Sequence, residues 1–142
     1  MSLVTISELS FKIPLFSSAI QAGFPSPAYD YAADPIDLNR YIITNPTATF
    51  FAKVEGDSMK NAGIFHGSFV VVDKSLKANK NDIVVAVVDG DFTIKRLGFN
   101  EENVILIPEN DSYPILEIRE GREFRIWGVV TWVFSPSNVC HS

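Results

Sequence analysis

Residues 83–97 set the architecture of this chain, and they read Ile83-Val84-Val85-Ala86-Val87-Val88-Asp89-Gly90-Asp91-Phe92-Thr93-Ile94-Lys95-Arg96-Leu97. Two runs rich in β-branched and aromatic residues, which favour strands, flank the dipeptide Asp89-Gly90. This dipeptide is typical of a two-residue hairpin turn, because both central positions of such a turn need positive φ. The pattern therefore predicts two antiparallel neighbouring strands, 82–88 and 91–97.

Strand-like runs of similar composition continue on both sides of this hairpin. They cover residues 49–55, 68–72, 103–107, 115–118 and 124–134. Clusters of Gly, Asn and Asp separate these runs, and their spacing is not that of βαβ units. The sequence therefore predicts a mainly β protein with a folded-over antiparallel sheet or partial barrel.

The N-terminal part of the chain has a different composition. Residues 1–48 contain five of the eight prolines and little strand alternation, so they are expected to be mostly extended or irregular. One short helix is predicted between Asp37, which can cap it, and Asn45-Pro46, which can end it. We therefore expect an N-terminal arm, 1–45, that leads into a β domain, 46–142.

Composition restricts the classes of function. The chain has 142 residues, 46% of them hydrophobic, which suits one core. Twelve Lys and Arg against seventeen Asp and Glu give a net charge of −5, which argues against direct, specific DNA binding. One cysteine excludes an internal disulfide framework, and no apolar run approaches the roughly 20 residues of a membrane span. A cytoplasmic protein with no membrane association is expected.

Histidine and metal chemistry have little support. His66 lies in a predicted loop, where a histidine is usually solvated, and His141 and Cys140 lie in the tail. A Ser-His-Asp triad would have to use His66. Two histidines and one cysteine do not form a metal site, and the chain has no GxGxxG or Walker-type loop. No cofactor is predicted.

The segment Glu55-Gly56-Asp57-Ser58-Met59 offers a different nucleophile. It follows a predicted strand directly, and Gly56 allows the backbone to turn sharply after it. The backbone N–H groups of Ser58 and Met59 can then stabilise a developing oxyanion. The alternative is ordinary turn chemistry, in which Asp57 or Ser58 caps a short helical turn at 59–62.

Lys95 is the candidate base for this serine. Within its strand, Thr93, Lys95 and Leu97 share one face, and Arg96 points to the other. If that face is buried, the pKa of Lys95 falls from about 10.4, and the neutral amine can act as a general base. Arg96 cannot take this role because a guanidinium does not deprotonate in proteins. The alternative is an exposed lysine on a half-solvated hairpin.

These segments resemble the self-cleaving Ser-Lys peptidases of the UmuD and LexA family. Gly56-Asp57-Ser58-Met59 is similar to the nucleophile segment of that family, and residues 92–97 are similar to its base segment. Lys95 follows Ser58 at a spacing of 37 positions, which suits the family. Further similar segments cover almost the whole chain in order: residues 11–16, 22–28, 36–39, 83–90, 107–108 and 128–130.

The resemblance implies a LexA-type peptidase domain that hydrolyses the Ala22–Gly23 bond of its own arm. Ser58 would be the nucleophile, Lys95 the general base, and the backbone of Met59 an oxyanion donor. Ala22 and Gly23 are small enough to let a nucleophile approach the carbonyl. The alternative for these two residues is an ordinary flexible linker.

The resemblance also implies partners. These are a RecA filament on single-stranded DNA that stimulates cleavage, a homodimer, and a UmuC-type Y-family polymerase in translesion synthesis during the SOS response. The 22 residues before the bond are too few for the helix-turn-helix domain of a repressor. The alternatives are a non-enzymatic interaction module, a signal-peptidase relative, which would need a membrane anchor, and a truncated repressor.

Overall fold

The computed structural model describes residues 12–16, 19–25, 27 and 33–137. They belong to two compact units, one up to Thr44 and the other from Asn45 onward. None of the helices in these ranges combines the length and the apolarity needed to cross a lipid bilayer. Cys140 and His141, for which the sequence suggested no role, lie outside the described residues.

In the first unit, two strands precede a short helix. Strand β1, Lys12–Phe16, pairs antiparallel with strand β2, Ala33–Asp37. Helix α1, Leu38–Ile42, follows at once, and the carboxylate of Asp37 caps it by accepting a 3.0 Å hydrogen bond from the backbone N–H of Asn39. The predicted helix and its cap are therefore confirmed.

The arm contains a two-stranded sheet that was not predicted, formed by the extended segments β1 and β2. Pro14 and Pro35 stand opposite each other in the register, so each keeps its own strand extended. All five β1 residues are exposed. Because neither face of the strand is buried, its sequence shows no alternation of apolar and polar residues. The pairing is a long-range event that local composition does not encode.

The second unit contains one antiparallel sheet of seven strands and two short 3₁₀ turns, Pro46–Ala48 and Lys60–Ala62. The strands follow the order β3-β4-β9-β5-β6-β7-β8 across the sheet. Their bounds are Thr49–Lys53 for β3, Phe69–Asp73 for β4, Ile83–Val88 for β5, Asp91–Phe99 for β6, Val104–Ile107 for β7, Leu116–Ile118 for β8 and Phe124–Phe134 for β9. Each strand predicted in this part of the chain is present, within about two residues at each end, and the mainly β, antiparallel fold is confirmed.

The β5–β6 hairpin is formed as the sequence predicts. Val88 pairs with Asp91, and the two residues between them have positive φ, 49° at Asp89 and 87° at Gly90. The carboxylate of Asp89 also forms a 2.6 Å ion pair with Arg122. This turn fixes the register of β6 against β5, and therefore the position of Lys95 opposite Val84.

Two hydrophobic clusters pack around the sheet. The first core cluster consists of Val84, Ala86, Val88, Leu97, Leu106 and Val129. The second core cluster consists of Val54, Met59, Ile64, Val70 and Val72. Strand β5 contributes to both clusters, because Val84 belongs to the first and its neighbours Ile83 and Val85 pack against the second. The sheet is therefore covered on both faces of its centre, as expected of a folded-over sheet.

Close packing at Gly128 gives a stability prediction. A Cβ added there would lie 2.5 Å from Val72 Cγ1 and 3.3 Å from the backbone oxygen of Asp73. Because a buried strand cannot move aside freely, we expect Gly128→Ala to lower the free energy of unfolding by about 1–3 kcal/mol. Gly98→Ala is the control, since its Cβ would meet the flexible end of Ile107 at 2.7 Å. Equal losses in urea unfolding of the two variants would contradict this reading.

Candidate active site

The loop that carries Ser58 begins where β3 ends. Val54 belongs to the second core cluster, and Gly56, with φ of 89°, turns the chain beyond it. The backbone N–H of Gly56 donates a 3.0 Å hydrogen bond to Nδ1 of His66. Ser58 follows, and its hydroxyl oxygen accepts a 2.9 Å hydrogen bond from Nζ of Lys95. His66 thus supports the turn before the serine, which is a role that the sequence did not suggest.

Lys95 projects from the middle of β6 beside this loop. It stands opposite Val84, which is fully buried, and its own side chain is half-buried. Besides the Ser58 hydroxyl, Nζ contacts Oγ1 of Thr93 at 2.9 Å and the backbone oxygen of Ile94 at 3.0 Å. Burial lowers the pKa of Lys95, because the charged form loses hydration.

The charged amine can donate to all three partners of Nζ, whereas the neutral amine has two N–H groups and one lone pair to share among them. The Ile94 carbonyl can only accept, so it takes one N–H, and the Thr93 hydroxyl oxygen can accept the second. The lone pair is then directed at the third partner, Ser58, whose hydroxyl can donate its proton. The arrangement can therefore place a base at hydrogen-bonding distance from a nucleophile.

A second loop, on the other side of Ser58, holds its backbone. The N–H of Glu109 donates a 2.8 Å hydrogen bond to the carbonyl oxygen of Ser58, and Nδ2 of Asn110 donates one of 2.9 Å to the carbonyl oxygen of Asp57. The carbonyl oxygen of Glu109 accepts a 2.9 Å bond from the N–H of Asn61. Sequence reasoning missed this loop, because Glu109 and Asn110 read as ordinary loop residues and only Pro108 before them belongs to a similar segment.

Arg96 joins the second loop to the strand that carries Lys95. Its side chain points away from that of Lys95 and forms an ion pair with the carboxylate of Glu109. It also donates a 2.6 Å hydrogen bond to the carbonyl oxygen of Asn81. The residue after the candidate base is therefore tied to the residue that holds the Ser58 carbonyl.

Ordinary capping does not explain Ser58. The turn Lys60–Ala62 starts at Met59 without a side-chain cap, so the alternative in which Asp57 or Ser58 caps it is wrong. The Met59 side chain is 1% exposed and anchors the loop in the second core cluster. Among the described residues, the backbone N–H groups of Ser58 and Met59 donate to no protein acceptor. These two groups are available to an anion beside the serine hydroxyl.

A cleft of about 610 Å³ opens at this site. Its walls are formed mostly by apolar side chains of β3, β4, β5, β6 and β9. Ser58 and Lys95 also line it. The other lining residues are Ala52, Lys53, Val54, Glu55, Val70, Val85, Phe92, Thr93, Ile94 and Trp127. In the sheet formed by the described residues, strand β3 is an edge, so one side of its backbone can pair with an extended peptide. The cleft can therefore accept an extended segment of small and apolar side chains.

The structure brings Ser58, Met59 and Lys95 together in the second unit, whereas Ala22 and Gly23 belong to the first. Both of these residues lie in an exposed bend, and a Cβ at Gly23 would meet nothing within 4 Å. Across the described ranges, no three His, Cys, Asp or Glu side chains come close enough together to hold a metal ion.

Comparison with known proteins gives consistent matches. The model of the Peptidase S24-like family matches residues 14–131. Protein SamA of Salmonella typhimurium is 48% identical over 83% of this chain and 81% of its own length, and protein ImpA of Escherichia coli is 46% identical over 87% and 84%. LexA repressor 1 of Geobacter sulfurreducens is 33% identical over 95% of this chain and 66% of its own length.

Proposed function

The chain belongs to the Peptidase S24-like family, and from this premise we propose that it is a serine endopeptidase that cuts its own Ala22–Gly23 bond with a Ser58–Lys95 dyad. The observation that carries the proposal is the 2.9 Å distance from Lys95 Nζ to Ser58 Oγ, in a half-buried site that lowers the pKa of the amine. A solvated lysine on a hairpin would have neither property.

In the first step, Ser58 Oγ attacks the carbonyl carbon of Ala22, while the lone pair of Lys95 takes the hydroxyl proton. The carbonyl oxygen becomes an oxyanion, which the N–H groups of Ser58 and Met59 stabilise. The intermediate collapses when the bond to the Gly23 nitrogen breaks, and the Lys95 ammonium returns its proton to that nitrogen. The products are a free amine at Gly23 and an ester between Ala22 and Ser58.

In the second step, water attacks the ester carbonyl and gives a proton to Lys95. The ester bond breaks, the proton passes to Ser58 Oγ, and the carboxylate of Ala22 is released. Lys95 thus serves as base and acid in turn, which requires a pKa nearer to the working pH than that of an exposed lysine. The burial of Lys95 supports this requirement.

The exposed bend at Ala22 and Gly23 suits a substrate. Neither residue has a branched side chain near the scissile carbonyl, and Pro25 disfavours a helix just before it. Cleavage can take place at the site of the same chain or at that of a second copy.

Incubation of the purified chain at mildly alkaline pH tests the proposal. We expect slow conversion to two products whose masses match residues 1–22 and 23–142. Intact-mass spectrometry measures this conversion over time. Cleavage at any other bond would contradict the assignment of Ala22–Gly23. An intact chain after prolonged incubation at about pH 10, close to the ordinary pKa of lysine, would contradict the peptidase itself.

Thr93 gives a graded test of the site. Thr93→Val keeps the shape of the side chain but removes the hydroxyl that accepts from Nζ. Because that hydrogen bond favours the charged form and also orients the amine, we expect cleavage at high pH to slow by about 3- to 10-fold, and the midpoint of the pH–rate profile to move to lower pH. Ser112→Ala, on an exposed loop, serves as the control. A midpoint that moves upward would contradict the assigned role.

The biological role follows from the resemblance to the UmuD and LexA family. We propose that the chain acts in the cytoplasm during the SOS response and that RecA filaments on single-stranded DNA accelerate its cleavage. The cleaved chain then forms a homodimer, and this homodimer binds a UmuC-type polymerase. A RecA filament would select the minor state in which the arm occupies the cleft and Lys95 is neutral. Adding RecA with single-stranded DNA and nucleotide should therefore increase the cleavage rate, while specific duplex binding by the chain alone should be absent.

A further inference from the structure

Glu109 and Asn110 hold the nucleophile segment by hydrogen bonds to two of its backbone carbonyls. Glu109 holds the carbonyl of Ser58 at 2.8 Å, and Asn110 holds that of Asp57 at 2.9 Å. All described peptide bonds are trans, and in a planar trans peptide the carbonyl and the N–H point in opposite directions. The carbonyl of Asp57 shares its peptide with the N–H of Ser58, and the carbonyl of Ser58 shares its peptide with the N–H of Met59.

Two successive peptide planes are therefore fixed from one side, and both N–H groups point away from that side. The same N–H groups have no protein acceptor in the described part of the chain. We propose that Asn110 is a positioning residue of the peptidase reaction, which aims the N–H of Ser58 at the oxyanion by holding the carbonyl of Asp57. This inference rests on the proposed function and adds a residue that acts through the backbone.

The surroundings of Asn110 support a fixed orientation. The residue is 5% exposed, and its Oδ1 accepts a 3.0 Å hydrogen bond from the backbone N–H of Ser112, so both ends of the amide are used. Tyr113, from the same loop, donates a 2.7 Å hydrogen bond to the carboxylate of Asp57 instead of its carbonyl. Asn110 and Tyr113 thus contact the same residue, but of these two side chains only Asn110 holds the peptide carbonyl. The same carbonyl also accepts a longer, 3.2 Å hydrogen bond from the backbone N–H of Lys60.

Two substitutions of Asn110 isolate its donor group. Asn110→Asp keeps the acceptor for Ser112 but cannot donate when ionised, and Asn110→Ala introduces no buried charge. Tyr113→Phe is the matched control, because it removes a contact to Asp57 without freeing the carbonyl. Self-cleavage is measured as a first-order rate across pH, and thermal unfolding of each variant is recorded beside it.

We expect both Asn110 variants to lower the plateau of the pH–rate profile by about 10- to 100-fold, because a misdirected oxyanion donor loses much of its effect. The midpoint of the profile should stay unchanged, since Lys95 and its neighbours are untouched. Tyr113→Phe should remain within about twofold of the unaltered chain. Phosphonylation of Ser58 by a small fluorophosphonate, which needs no docking of the arm, should slow by a similar factor in the Asn110 variants.

Plateau rates within twofold of the unaltered chain in both Asn110 variants would overturn the inference. A shifted midpoint, or loss of the folded state in both variants, would also overturn it, because Asn110 would then have a structural role. If the unaltered chain neither cuts itself nor reacts with the fluorophosphonate, the proposed function fails. If it does both and the Asn110 variants match it, only the positioning role fails.

Discussion

The chain carrying Ser58→Ala will stay intact under conditions that cut the unaltered chain completely. The hydroxyl of Ser58 lies 2.9 Å from Lys95 Nζ, and a methyl group cannot attack a carbonyl. We expect the rate of self-cleavage to fall by at least about 10³-fold, since the loss of a nucleophile removes the covalent route altogether. The measurement is the fraction of intact chain over days, by mass spectrometry.

This variant should fold normally. Ser58 loses one partly buried hydrogen bond, so the free energy of unfolding should change by no more than about 1–2 kcal/mol. Its arm is unaltered, and mixing it with the unaltered chain therefore tests whether one copy cuts another. Cleavage of the Ser58→Ala chain on its own, at the same bond and rate, would remove Ser58 from the reaction.

The hairpin and the local setting of each dyad residue could be predicted because they depend on short-range patterns. Asp89-Gly90 specifies a turn, the turn specifies the register, and the register places Lys95 on the same face as Thr93. The position of Ser58 after a strand and a glycine is equally local. That the two side chains are in contact depends on the resemblance of both segments to one family as much as on either segment alone.

The remaining parts of the site depend on contacts between distant segments. Asn110 is 53 residues from Asp57, and the hydrogen bond from Gly56 to His66 joins the two ends of a loop. In each case a backbone group is one of the partners, so residue type carries no signal for the pairing. The same reason explains why the β1–β2 pair was missed, since its residues are exposed and lack alternation.

Self-cleavage will depend steeply on pH through Lys95. Only the neutral amine can take the proton of Ser58, so the rate should rise about tenfold for each pH unit while most of Lys95 is charged. Burial lowers the pKa of Lys95, and the rate should therefore level off at a pH below about 10.4, the ordinary pKa of lysine. The measurement is the first-order rate constant between pH 6 and 11, a range set by that value.

Lys95→Arg and Lys95→Met test whether the reaction needs the positive charge of Lys95 or its ability to accept a proton. Arginine keeps a positive charge but does not deprotonate, and methionine fills a similar volume without a base. Both should lower the rate by at least about 10³-fold at each pH, which removes the rise with pH. Lys80→Met, at an exposed loop position, is the matched control and should keep the full profile. Substantial cleavage by either Lys95 variant would exclude Lys95 as the base.

The same pKa shift has a consequence for stability that does not depend on cleavage. Because the folded pKa of Lys95 is lowered, the unfolded chain binds more protons than the folded chain between that pKa and about 10.4. The charged amine is thus a cost of folding that is fully present below the folded pKa and disappears as the pH rises through this window. In the Ser58→Ala background, Lys95→Met should therefore unfold at equal or higher urea concentration than its parent at neutral pH, with the difference shrinking toward pH 10. A variant that is less stable at neutral pH would contradict the lowered pKa assigned to Lys95.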